Sequence, residues 1–190
     1  MKIFRLWGSQ DYWTIHYGNP ADIKSERYLA EFKGMPVVKD WKKVEAKIAF
    51  KGEQGKIKPD IMDVGGLVGI AMTSHTKDIL KNLLLPYCEI LPVDLQGEEV
   101  YIINPTVILD CIDYENCITE LRAPLNRKKI VRYAFKKEIE YPPIFRINNE
   151  SFCIFITDEF AKILEDNHLV GYNMKELWDS EKWSLISEIF

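Results

Sequence analysis

The sequence predicts an α+β fold: a mainly antiparallel sheet with two similar strand-helix-strand units and a few packed helices. Three observations carry that prediction. Short runs rich in Val, Ile, Tyr and Phe, bounded by Gly and Pro, recur between residues 87 and 147. Apolar residues at helical spacing are confined to brief segments. Residues 72–82, MTSHTKDILKN, are echoed by residues 156–166, ITDEFAKILED, at an offset of 84.

Taken in order, Lys2–Leu6 and Tyr12–Tyr17 have strand composition. Ala21–Phe32 reads as a short helix with Tyr28, Leu29 and Phe32 on one side, and Gly34-Met35-Pro36 breaks it before Trp41. Lys51–Asp60, KGEQGKIKPD, is polar and carries two Gly and a Pro, so it reads as a loop or linker. The expected division is an irregular N-terminal lobe over 1–60 and an α+β domain over 61–190, packed as one compact unit.

From Ile61 the pattern sharpens. Gly65-Gly66-Leu67-Val68-Gly69 turns into the apolar run Val68–Met72, and Thr73-Ser74 offers a helix N-cap. Met72, Thr76, Ile79, Leu80 and Leu83 then repeat at helical spacing up to Pro86. Tyr87–Val93 is a strand and Asp94–Glu98 a Gly-containing turn, followed by strands at Glu99–Asn104, Thr106–Asp113 and Asn116–Leu121. Lys129–Phe135 alternates, with Ile130, Arg132 and Ala134 on one face and Val131, Tyr133 and Phe135 on the other. Ile144–Ile147 is a short strand after Pro142-Pro143. The second Thr–helix unit follows, and its resemblance to the first predicts two helices packed alike on one sheet. Ser180–Phe190 reads as a last amphipathic helix with Trp183, Ile186 and Phe190 on one stripe.

Composition sets the class of protein. The chain has 190 residues, 47% hydrophobic and 12% aromatic, which is enough to build a core and excludes whole-chain disorder. No run approaches the ~20 apolar residues of a membrane helix, and the first residues lack a signal-peptide pattern. A soluble cytoplasmic protein is expected. The net charge of −4 is unevenly laid out. Residues 1–60 hold 12 basic and 8 acidic residues. Between Lys81 and Arg122 there are eight acids and no base; Arg122, Arg127, Lys128, Lys129, Arg132, Lys136 and Lys137 follow without an acid among them. Charge blocks are most often solvated faces, but they also receive partners of opposite sign.

Candidate chemistry is sparse. Cys88, Cys111, Cys117 and Cys153 form no CxxC pair and read as reduced structural thiols. His16, His75 and His168 lie in no ligand-spaced motif, so no metal or cofactor is expected. The glycine cluster is neither a P-loop nor a dinucleotide fingerprint. Asp110 and Asp113 suit acid–base work but equally mark a polar strand end. An enzyme pairing a Cys or carboxylates with His75 stays open, as does a module that self-associates.

The order of short motifs is informative. It runs Phe32-Lys33-Gly34-Met35-Pro36, Trp41, Lys58-Pro59-Asp60-Ile61, the Thr73–Leu84 helix, Glu89-Ile90-Leu91-Pro92-Val93 and Tyr101-Ile102-Ile103-Asn104. Leu109-Asp110-Cys111-Ile112-Asp113, Ile144-Phe145-Arg146, Ile156-Thr157-Asp158 and Leu169-Val170-Gly171-Tyr172 close it. Over roughly residues 30–178 this order resembles the immunity protein 11 family of bacterial polymorphic toxin systems. The resemblance implies a non-enzymatic cytoplasmic protein, monomer or homodimer, that binds a cognate toxin encoded by a neighbouring gene, with no nucleic-acid or membrane partner. In it Trp41, Pro92, Asp110, Asp113 and Gly171 are scaffold positions. From the charge layout, the face expected to meet a basic toxin is Glu98, Glu99, Asp113, Glu115 and Glu120, with Tyr114 as aromatic anchor.

Overall fold

A computed structural model describes residues 1–17, 34–65, 69–122 and 127–182. The expected helix at Ala21–Phe32, and the helix expected over Ser180–Phe190 beyond residue 182, lie outside the described residues. Strands dominate. In chain order they are β1 (Lys2–Gly8), β2 (Trp13–Tyr17), β3 (Val44–Lys51), β4 (Ile61–Val64), β5 (Ile70–Thr73), β6 (Cys88–Leu95), β7 (Glu98–Pro105), β8 (Ile108–Leu109), β9 (Ile118–Arg122), β10 (Arg127–Arg132), β11 (Ile144–Ile147), β12 (Ile154–Thr157) and β13 (Tyr172–Asp179). Helix α1 (Ser74–Leu84) follows β5 and α2 (Asp158–Asp166) follows β12.

The fold is α+β, but its strands do not make one sheet. Six strands close a barrel in the order β2-β3-β6-β7-β5-β4. Five others form an open sheet, β13-β1-β12-β11-β8, and β9 pairs with β10 as a separate hairpin. The barrel closes through two parallel contacts, Thr14 and Ile15 of β2 on Asp63 and Val64 of β4, and Val44–Ala46 of β3 on Val93–Leu95 of β6. The described strands of residues 1–60 join both halves: β1 lies between β12 and β13, while β2 and β3 belong to the barrel.

The repeat seen in the sequence is a repeat of topology. β5 and β12, and likewise β6 and β13, are offset by 84 residues at both ends. In the barrel, β5 pairs with β7 so that Thr73 faces Val100 and Ile70 faces Ile103. In the open sheet, β12 pairs with β1 so that Thr157 faces Ile3 and Ile154 faces Leu6. The next pairing repeats as well, with Ile90 on Ile103 and Met174 on Leu6. Ile61 opposite Met72 is matched by Ile144 opposite Ile156. Thus β1 does in the second unit what β7 does in the first: the N-terminal strand completes a unit whose other strands come from the far end of the chain. Each helix packs on its own sheet, so the expectation of two helices on one sheet is corrected.

Both helices start on a threonine in extended conformation, after which the chain turns helical. Thr73 caps α1 by accepting the Thr76 amide at 3.3 Å, whereas Thr157 makes no such bond. Asp158 and Glu159 in the first turn of α2 complement its dipole instead.

Three apolar clusters result from each sheet having two covered faces. The first joins the units: Ile61, Ile70, Met72, Leu80 and Ile103 meet Leu6, Ile144, Ile154, Ile156, Phe160 and Leu164. The second fills the barrel with Ile15, Met62, Ala71, Leu91, Val93, Val100 and Ile102. The third, behind the open sheet, holds Ile3, Phe135, Phe145, Phe155 and Trp178. Phe145 and Phe155 stack at 5.8 Å between centroids. Each such side chain contributes about 1.5–3 kcal/mol of burial.

Candidate functional site

The six residues of the expected acidic face fall into two groups. Glu98 and Glu99 open β7 in the barrel and are engaged by bases of the first sixty residues. Glu98 accepts from Lys58. Glu99 accepts from Lys43 at 2.8 Å and from the Tyr101 hydroxyl. The Lys43 bond, then the Tyr101 bond, holds its carboxyl below the usual range. These two acids serve to join the hairpin of β6 and β7 to neighbouring strands.

Asp113, Tyr114, Glu115 and Glu120 lie together on the turn and strand that lead into the separate hairpin. Asp113 accepts the Asn116 amide at 3.3 Å and its side-chain amide at 2.7 Å, which shapes the turn. The Asp113 amide donates to Ala134 at 3.0 Å and so ties the turn to the chain beyond β10. Tyr114 is half exposed, and its hydroxyl accepts from Asn149. Asp110 is ion-paired to Lys136 at 3.6 Å, whereas Asp113 is engaged with Asn116.

The hairpin itself carries side chains that neither composition nor charge pattern singled out. Ile118, Leu121 and Val131 are 49%, 66% and 43% exposed, although β-branched and aliphatic residues on a short strand normally face a core. Of the hairpin and the residues that flank it, Cys117, Ile130 and Tyr133 join the cluster behind the open sheet. The alternation expected over Lys129–Phe135 does not hold: β10 ends at Arg132 with a register shift between Ile130 and Arg132, and Val131 is exposed while Ala134 and Phe135 are both buried.

Between the hairpin and the open sheet runs a groove of about 630 Å³, lined by Lys129–Tyr133 on one side and by Arg5, Trp7, Lys175, Glu176 and Leu177 on the other. Register places Arg5 directly opposite Lys175 on neighbouring strands. Glu176, the one acid in the lining, already holds Lys2 at 2.9 Å and Lys182 at 3.4 Å. Tyr133, at one end of this wall, donates to the Glu150 carboxylate, with oxygens at 2.6 and 2.7 Å.

No hydrogen bond joins a thiol to His75 among the described residues. His75 is exposed on α1 and makes no hydrogen bond among the described residues. Burial pushes the Cys88 thiol up, and pushes Cys111 up to about 12, so both are protonated at neutral pH rather than poised as thiolates. This has a measurable consequence. An unfolded thiol ionises near 9 while the folded one keeps its proton, so the unfolded state binds fewer protons and stability falls as pH rises above 9. Each thiol should remove about 1 kcal/mol by pH 10. Urea midpoints at pH 7 and pH 10 will show this loss in the native chain and a smaller one in Cys88→Ala/Cys111→Ala. Among the described residues no three His, Cys, Asp or Glu cluster as a cation site.

Comparison with models of known protein families finds no match to this chain, and comparison with curated proteins finds none either.

Proposed function

We propose that this chain is a cytoplasmic immunity protein that neutralises a bacterial toxin by stoichiometric binding, with the hairpin of β9 and β10 and the turn before it as the contact surface. The exposure of Ile118, Leu121 and Val131 on a hairpin outside both sheets carries this reading. Leu121 projects from one face of this hairpin and Ile118 from the other, so a partner that grips the hairpin meets exposed apolar side chains rimmed by charge on both faces. Tyr114 and Trp7 add aromatic area nearby in the fold, half and about one-third exposed. The motif order and the charge layout support the same reading. Neutralising a lethal enzyme needs affinity near 10⁻⁹ M, roughly 12 kcal/mol, and a few buried anchors inside a charged rim supply most of such energy.

Co-expression with the toxin-like product of the neighbouring gene tests it. The intact chain is expected to restore growth and to co-purify with that product. Ile118→Ser/Leu121→Ser should lose rescue while keeping the melting temperature within a degree or two, because both side chains are already in water. Failure of the intact chain to rescue or to bind overturns the immunity reading for that pair. Asp113→Lys/Glu115→Lys/Glu120→Lys separates the acidic contribution, since unchanged affinity would remove these residues from the interface.

The same exposed side chains favour a second reading, self-association through the hairpin. Light scattering across a hundredfold range of concentration decides it: a mass that stays at one chain excludes it.

A further inference from the structure

The groove under the hairpin gathers positive charge against its own stability. Arg5 and Lys175 face each other on paired strands, where like charges repel. Lys129 and Arg132 line the opposite wall. Arg5, Lys129 and Lys175 are exposed and make no ion pair among the described residues, although Glu120 stands across the hairpin from Lys129. The only acid in the lining is already shared between two lysines from outside it. Sites that keep a local conflict of this kind are where function is found.

We propose that this groove receives an extended acidic segment of a protein partner, its carboxylates seated on the Arg5–Lys175 pair and on Lys129, with the Trp7 indole packed against its aliphatic side chains. The proposal rests on the reading of this chain as a protein-binding module. Shape supports a short extended segment. The wall from Lys129 to Tyr133 is about 13 Å long at strand rise, and the volume lies in the range of ligand clefts. Arg5 supplies a fork that binds a carboxylate through two bonds.

The test uses the purified full chain and a fluorescein-labelled peptide of about eight residues alternating glutamate and valine, long enough to span the wall. Anisotropy should saturate at low salt and weaken as salt is raised. Arg5→Glu and Lys175→Glu should each weaken binding at least ~tenfold, about 1.4 kcal/mol, whereas Lys162→Glu on α2 should not. Lys175→Glu should also raise the melting temperature slightly, because it turns a repelling pair into an attracting one. No saturable binding, or equal binding by the Arg5 and Lys175 variants, overturns the proposal. So does a ten-nucleotide oligothymidylate that displaces the peptide with equal or higher affinity, since that marks a general polyanion site. Because no toxin is present, failure of growth rescue leaves this result standing, and failure here leaves the hairpin contact standing.

Discussion

Gly171→Ala should lower the stability of the protein by about 3–5 kcal/mol, roughly 10 °C in melting temperature for a chain of this size. Two effects combine at this position. Gly171 has φ +97°, a conformation that side-chain-bearing residues rarely adopt. A Cβ there would lie 2.0 Å from the Ile61 carbonyl oxygen and 2.4 Å from Pro59 Cβ. Backbone cannot swing aside as a side chain can, so strands must separate. What would separate is the seam between the two units. The Val170 oxygen accepts the amides of Asp60 and Ile61, each at 3.0 Å. The Val170 amide donates to the Asp60 carboxylate at 2.9 Å, and the Gly171 oxygen accepts from Ser9 at 2.9 Å. Gly97→Ala is the control. Gly97 has φ +90°, yet nothing lies within 4 Å of its added Cβ. It should cost only the conformational part, about 1 kcal/mol. Urea denaturation of both variants measures the difference, and equal losses would place the Gly171 effect in backbone strain alone.

Arg146→Ala is expected to be comparably severe, also about 3–5 kcal/mol. Arg146 is fully buried in β11, and no carboxylate pairs with it among the described residues. Its Nε donates to the Pro105 oxygen at 3.1 Å and its Nη1 to the Ser151 oxygen at 2.6 Å, while Nη2 has no partner. Its own amide donates to Val107 at 2.9 Å. The fork thus ties the end of β7 to the chain after β11. Burial lowers its proton affinity to about 10, which leaves it charged at neutral pH. Alanine removes the packed stem, opens a cavity and orphans two carbonyls. Methionine fills much of the cavity and removes the buried charge, so Arg146→Met should recover about half of the loss. Lysine keeps the charge without the fork and should fall nearer to alanine. Thermal melts of the three variants check this order; equal melting temperatures for Met and Ala would assign the role to hydrogen bonding and not to volume.

Arg146 and Gly171 both lie in motifs legible in the sequence, Ile144-Phe145-Arg146 and Leu169-Val170-Gly171-Tyr172, but their work is not. A basic residue on an apolar strand reads as solvated until the carbonyls it reaches are known. Elements defined by local chemistry were read well. The Thr73 cap with the period of Ile79, Leu80 and Leu83 located α1, and Gly97 located the turn between β6 and β7. Elements defined by distant partners were not. β3 was missed although Val44, Ala46, Ile48 and Phe50 alternate with Glu45, Lys47 and Lys51; its parallel partner β6 lies far along the chain. Thr106–Asp113 was expected to be one strand, yet only Ile108–Leu109 pairs, in parallel with β11, and Ile112 makes an isolated bridge to Phe135. The acidic face was expected whole, but Lys43 and Lys58 draw Glu99 and Glu98 into the barrel while Asp113, Tyr114, Glu115 and Glu120 stay with the hairpin.

By itself, the sequence determined the α+β class, both helices with their threonine starts, and the existence of a repeat at an offset of 84. Periodicity and capping act within one or two turns of chain, and a single sequence contains all of that information. Only the tertiary structure decided that the repeat makes two sheets, one closed and one open. The second unit lacks a strand until β1 arrives from the other end of the chain, and no local pattern records a pairing between Leu6 and Ile154. The same long-range step lays the hairpin across the open sheet, leaving Ile118 and Leu121 in water and setting Arg5 and Lys175 against each other at the mouth of a groove.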